Sequence, residues 1–193
     1  MHSNLLFQEE LFLCLYRRFF GHTYDCYDSK TEKHGYVQKW INGQNMMYFF
    51  SCLGVPVNHG FSWNTFGPSS GTLRIMMREL DEKKGAVRNW YYDEQKETLS
   101  ELIGEDLVRT VDNACVTMHE MVNIPYGTEL MADMLYLSTN VMKNYGFESV
   151  LAELRRRKKS FTAPTWNGPL PLDSQCRIIW NKLVQLSLVP DMP

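Results

Sequence analysis

The sequence predicts a mainly α fold: a compact helical domain of seven or eight helices with one small β hairpin. Three observations lead there. Apolar residues recur at three- and four-residue spacing through most of the chain. Strand-like composition is confined to two short stretches, 57–66 and 86–92. No segment repeats, and no strand alternates with helix, which excludes a parallel nucleotide-binding sheet. At 193 residues the chain buries roughly 70% of its unfolded surface, enough for a core without metal or disulfide staples.

Each element has a local reason. Ser3 can cap a helix that runs to about Phe20, with apolar positions 5, 6, 12, 13, 16, 19 and 20 and Gly21 as its stop. Residues 21–34 are polar and turn-rich, an exposed connection. The chain thus divides into an N-terminal helix and loop, 1–34, and a helical domain, 35–193. A second helix spans about Tyr36 to Leu53, weakened at Gly43 by about 1 kcal/mol relative to alanine. Gly54 ends it, and Pro56 prevents its resumption. Phe61 and Trp63 alternate with polar residues, as a half-buried strand requires. Gly67-Pro68-Ser69-Ser70-Gly71 is a turn, and either serine can cap a helix through Glu82 with Leu73, Met76, Met77 and Leu80 on one face. Gly85 ends that helix, and residues 86–92 form the second strand. Further helices follow at about 96–103, 105–122, 128–145 and 173–188, with one starting near Phe147. A loop rich in proline and glycine covers 160–171.

Composition narrows the function classes. Hydrophobic residues are 44% and charged residues 22%, with a formal net charge of −2. Those values exclude a disordered chain, a collagen-like chain, a coiled coil and a polycation that coats nucleic acid. The longest apolar runs, 11–16 and 46–53, fall well short of the roughly 20 residues of a membrane span. Five cysteines, at 14, 26, 52, 115 and 176, form no CxxC pair. They read as free thiols in a reducing compartment, which predicts a cytoplasmic protein with no membrane partner.

No set of residues assembles a familiar chemistry. His22, Cys26 and His34 give one loose pair in a loop, where zinc needs four ligands. His119-Glu120 begins like a metalloprotease helix, but position 123 is Asn, so the second ligand is missing. Gly67-Pro68-Ser69-Ser70-Gly71 matches the letters of a nucleophile elbow without the surrounding sheet, so capping is the better account. No catalytic residue, metal or cofactor is therefore assigned. Charge is unevenly placed: residues 101–153 hold nine acids and two bases, and Arg155-Arg156-Arg157-Lys158-Lys159 follows. That run either complements the C-terminal dipole of its helix or contacts phosphate. Trp63, Phe66, Trp90, Tyr91 and Tyr92 exceed what one face of a small hairpin needs, and large rigid aromatics suit a partner-binding surface.

One stretch goes beyond general physics. Gln44-Asn45-Met46-Met47-Tyr48-Phe49-Phe50, Gly54, Phe61-x-Trp63, Phe66-Gly67-Pro68-x-Ser70 and Leu73 together resemble the YwgA-like and SocA-like (Panacea) antitoxin domains. Leu130–Tyr145 with Gly146-Phe147-Glu148, and Trp180 with Leu183, agree more loosely. Asn45 stands where that group carries Lys, Ser69 stands where it carries an aromatic, and residues 1–34 have no counterpart. The resemblance implies a helical domain without a catalytic centre that binds another protein: a toxin, a protease or a defence component. It also places Gln44 and Tyr48, four residues apart, near the Gly67-Pro68 turn, which their side chains would fix by hydrogen bonds.

The expected function is therefore a non-enzymatic protein-binding module that neutralises or redirects its partner, as an antitoxin, an adaptor or an inhibitor in phage–host conflict. The same face leaves self-association open. The alternatives are a nucleic-acid-binding regulator that uses residues 155–159, and a small hydrolase that uses Ser69, Ser70 or His119.

Overall fold

The computed structural model describes residues 5–24, 33–64, 67–92, 99–123, 126–143, 145–158 and 173–191. Within them lie nine α-helices and one two-stranded antiparallel sheet. The helices are α1 (Phe7–Phe20), α2 (Lys33–Cys52), α3 (Gly71–Glu82), α4 (Lys84–Tyr92), α5 (Leu99–Ile103), α6 (Glu105–Met118), α7 (Gly127–Tyr136), α8 (Phe147–Arg157) and α9 (Asp173–Gln185). The strands are β1 (Ser62–Asn64) and β2 (Gly67–Ser69). A 3-10 turn, His119–Asn123, follows α6, and a π turn, Leu137–Val141, follows α7. No helix among the described residues is long and apolar enough to cross a membrane.

Helix α7 runs through the centre. Every residue from Gly127 to Leu135 is buried, so the helix has no solvent face. It packs against α2, α8, α9 and β2. Helix α1 lies against α2, α3, α5 and α6, and its Leu11, Phe12, Leu13, Leu15, Tyr16 and Phe19 belong to the same core as the rest of the chain. Much of the aromatic surplus is spent here. Phe12, Tyr16, Phe19, Tyr24, Phe49 and Phe50 contact one another at ring-centre distances of 5.1–5.9 Å, which suits edge-to-face and tilted pairs.

Several boundaries differ from the sequence expectation. Helix α1 starts at Phe7, and its first turn is closed by Glu9, whose carboxylate accepts the Leu6 N–H at 2.9 Å; Ser3 lies outside the described residues. Gly21 ends α1 in the left-handed region (φ 73°) as expected. Helix α3 begins after Ser70, whose Oγ accepts the Leu73 N–H at 3.3 Å. Capping is thus the geometric role of Ser70.

The larger correction concerns the hairpin. Residues 86–92 are helix α4, not a strand, and Gly85 lies inside that helix instead of ending α3. Val87 and Trp90 are its buried pair. Their three-residue spacing puts both on one helical face, and packing against the core overrides the strand preference of Val, Trp and Tyr. The partner of β1 is its immediate neighbour β2. Trp63 pairs with Pro68, Ser62 with Ser69 and Asn64 with Gly67. The Gly67-Pro68 dipeptide therefore opens a strand. Proline fits because a two-stranded ribbon has edges whose N–H groups need no partner. Phe66 lies outside the described residues.

Gly43 also changes meaning. A Cβ there would come within 2.6 Å of the Met77 Cε and 3.3 Å of Phe12 Cε2. The helix-propensity cost of this glycine is offset by the close approach of α2 to side chains from α3 and α1.

Candidate functional site

The structure brings Gln44, Trp63, the Gly67-Pro68 dipeptide and Lys158 into one region around the hairpin. Gln44 reaches from α2 to the end of β2. Its Oε1 accepts the Ser70 N–H at 2.8 Å, and its Nε2 donates to the Ser70 C=O at 3.3 Å. A buried side-chain amide thus satisfies both backbone groups of the residue that leaves the sheet and enters α3. Replacing Gln44 with alanine orphans both groups in a buried site. A loss of about 1–3 kcal/mol follows, readable as a lower urea midpoint; an unchanged midpoint would refute the role.

Tyr48 does not share that task. Its hydroxyl donates to Thr139 Oγ1 at 3.1 Å and accepts from Asn140 Nδ2 at 2.8 Å. The direction follows from Thr139, whose own proton goes to the Leu135 carbonyl at 2.8 Å. Burial pushes the Tyr48 phenol far above its usual value, so it stays neutral. Tyr48 therefore anchors the π turn, while its ring packs on Phe61 and Tyr136. Sequence reasoning placed both i, i+4 side chains on the Gly-Pro segment; only the first arrives there.

Beneath the hairpin lies a buried charge cluster that the sequence pattern did not single out. Lys158 is 2% exposed. Its Nζ pairs with Asp133 Oδ2 at 2.7 Å and with Glu129 Oε1. Asp133 is fully buried, and its Oδ1 faces Gly67 so closely that a Cβ at residue 67 would strike it. Asn45 Oδ1 lies 3.4 Å from that same Cβ position. Neither Asn45 side-chain polar atom has a hydrogen-bond partner. Residue 45 is thus a buried amide, and the cation that reaches the buried carboxylates comes from the end of α8.

Two carboxylates share one ammonium. Burial pushes the Asp133 carboxyl up to about 7; Lys158 pulls it back, and Glu129 pushes it further up. Burial raises Glu129 as well. A protonated Asp133 leaves one cation facing one anion. Because the native value stands above the ordinary value of about 4, the folded chain binds this proton more tightly than the unfolded chain. The contribution of Asp133 to stability is therefore fully present below about pH 4 and is lost as pH rises through about 7. Asp133→Asn, which mimics the protonated form, should flatten the change in urea midpoint between about pH 5.5 and about pH 8. An unaltered pH profile in that variant would overturn the assignment.

Above the cluster, Trp63 is half-buried. Its ring lies 5.7 Å from Tyr136, with the Arg157 guanidinium at 5.3 Å and Lys158 Nζ at 5.8 Å from its centre. The other predicted aromatics lie elsewhere. Trp90 is 3% exposed and belongs to the core, Tyr91 is partly buried on α4, and Tyr92 is 82% exposed. Helix α4 is a separate element from the hairpin, and with Trp90 buried the described aromatics Trp63, Trp90, Tyr91 and Tyr92 do not form one exposed patch.

Three arginines of the basic run reach carboxylates within the fold, two of them sharing one. Arg155 pairs with Asp173, while Arg156 and Arg157 both reach Glu153 at 2.6 Å. The two bonds draw the Glu153 carboxyl down to about 2. Lys159 lies outside the described residues. The three arginines occupy the last turn of α8, where they complement its dipole.

The candidate nucleophiles are similarly occupied. Ser69 Oγ accepts from Asn64 Nδ2 at 2.6 Å, and Ser70 Oγ lies 2.9 Å from Thr72 Oγ1. His59 Nδ1 is 3.0 Å from that same Thr72 oxygen, and its Nε2 has no partner. Among the described residues, an imidazole therefore approaches Ser70 only through a threonine, and no carboxylate orients it. His119 is exposed on the 3-10 turn. Burial pushes the thiols of Cys115 and Cys176 up to about 12 and about 11, which keeps them from acting as thiolates. Cys26 lies outside the described residues. His22 packs against Tyr16 and Phe20.

No protein-family model and no curated protein matches the chain.

Proposed function

We propose that the chain is a protein-binding module that neutralises or redirects another protein, and that it docks through the hairpin face around Trp63. The reading rests on one observation. A large, half-buried indole, bracketed by Tyr136 and Arg157, is mounted on a short ribbon whose end is held by Gln44 and whose Gly67 packs closely on Asp133. A rigid aromatic on a pre-organised support loses little entropy on docking and makes a good hot spot. The resemblance to the Panacea antitoxin group points the same way and suggests a toxin or a defence component as the partner.

The other two readings have less support. Nucleic-acid binding would have phosphates compete with the carboxylates that these arginines already face, Asp173 for Arg155 and a shared Glu153 for Arg156 and Arg157. Hydrolysis would need a base on Ser69 or Ser70, and among the described residues none contacts either directly.

The test is affinity capture with the intact chain, followed by co-expression of a captured toxic partner. Trp63→Ala should lose the partner and the growth rescue while its circular dichroism is unchanged. Val116→Ala, at an exposed residue of α6, should keep both. Full rescue by Trp63→Ala would refute the proposed face.

A further inference from the structure

The cations near α1 and α4 fall into two groups. Arg18 pairs with Asp112, Lys39 with Asp81 at 2.8 Å, and Lys83 with Glu9 at 2.8 Å. Arg17, Lys84 and Arg88 form no ion pair with any described residue, and all three are exposed. These three line one cavity of about 570 Å³ together with Tyr24, Tyr91 and Tyr92. No acidic residue is among its described walls. Lys84 and Arg88 are four residues apart on α4, a like-charge spacing that an isolated helix disfavours. An anion between them would offset that repulsion.

The aromatic wall is held in place. Tyr91 Oη accepts the Tyr24 N–H at 2.9 Å and donates to the Leu13 carbonyl at 3.5 Å. The Tyr24 hydroxyl donates to Asp81 at 3.2 Å, and Lys39 Nζ sits 3.8 Å from the centre of its ring. Tyr92 stands at the rim, 82% exposed. The volume falls inside the range of about 300–1,000 Å³ typical of small-molecule sites. Guanidinium groups suit phosphate oxygens, and tyrosine faces suit a planar base.

We propose that this cavity binds a nucleotide, with its phosphates on Arg17, Lys84 and Arg88 and its base against Tyr91 and Tyr92, while the buried Tyr24 forms the floor. The site shares no residue with the hairpin face and stands independently of the protein-binding reading. It also gives Tyr91 and Tyr92 a role other than the partner surface that the sequence suggested.

Calorimetric titration of the full chain with ADP, GDP, CDP, UDP, inorganic pyrophosphate and adenosine tests the proposal. At least one nucleoside diphosphate should bind, more tightly than pyrophosphate, and the affinity should fall with salt. Arg17→Ala, Lys84→Ala and Arg88→Ala should each weaken binding about tenfold. These positions are exposed, so circular dichroism should be unchanged. Tyr92→Ala should lower nucleotide affinity and leave pyrophosphate affinity as it was. The proposal is overturned if none of the four nucleotides binds, if the triple cation variant binds as well as the parent, or if pyrophosphate binds as tightly as every nucleotide.

Discussion

Lys158→Met should destabilise the protein by about 3–5 kcal/mol at neutral pH. The methionine fills a similar volume, so the loss is electrostatic. Lys158 is the cation that faces both Glu129 and Asp133 at 7% and 0% side-chain exposure. Without it two carboxylates remain buried and close together. Burying an unpaired charge costs far more than losing an exposed pair. The penalty should shrink near pH 5, where protons replace the missing cation. Adding Glu129→Gln and Asp133→Asn to Lys158→Met should restore much of the loss, because the charges themselves are gone. Arg155→Ala breaks an exposed pair with Asp173 and should change stability by less than about 1 kcal/mol. Urea unfolding at both pH values decides the matter. A loss below about 1 kcal/mol for Lys158→Met, or one independent of pH, contradicts the buried pairing.

Gly67→Ala is the second large effect, at about 2–5 kcal/mol. Two costs add. Gly67 has φ 97°, a conformation that side-chain-bearing residues rarely adopt. A methyl group there would also land on the Asp133 carboxylate and beside Asn45. The hairpin must lift or the cluster must shift, so the Trp63 face should be disturbed along with stability. Gly85→Ala supplies the contrast. Gly85 sits in α4 with open space where a Cβ would go, so its replacement should leave stability unchanged or raise it by up to about 1 kcal/mol. Thermal unfolding of the two variants side by side tests this; equal midpoints would show that neither strain nor crowding operates at residue 67.

Both effects centre on contacts of long sequence separation, and these are what the sequence concealed. Lys158 belonged to a run of five bases that reads as exposed charge. Nothing in its spacing marks the fourth base as buried while Arg155 and Arg156 stay in water. The signal available was its opposite: Glu129 and Asp133 sit four residues apart on the apolar stretch that becomes α7, a like-charge pair needing a counterion. Trp90 illustrates the same limit. Beside Tyr91 and Tyr92 it reads as surplus aromatic surface, and only the packing of α4 sends it inward while Tyr92 stays out. The basic–aromatic cavity is equally silent in the sequence, because Arg17 and Arg88 are distant in the chain and ordinary in isolation.

What the sequence determined alone is local. Helical periodicity, a serine cap at residue 69 or 70, Gly21 and Gly54 as stops, and the basic last turn of α8 depend on residues within a few positions of one another, where backbone geometry dictates the outcome. The bond from Gln44 to the Gly-Pro segment was legible through a motif resemblance. The tertiary structure decided the rest: which strand pairs with β1, which cation is buried, and which aromatics face solvent. Each of these is a competition between burial and hydration at a point where distant segments meet, and no stretch of sequence contains both competitors.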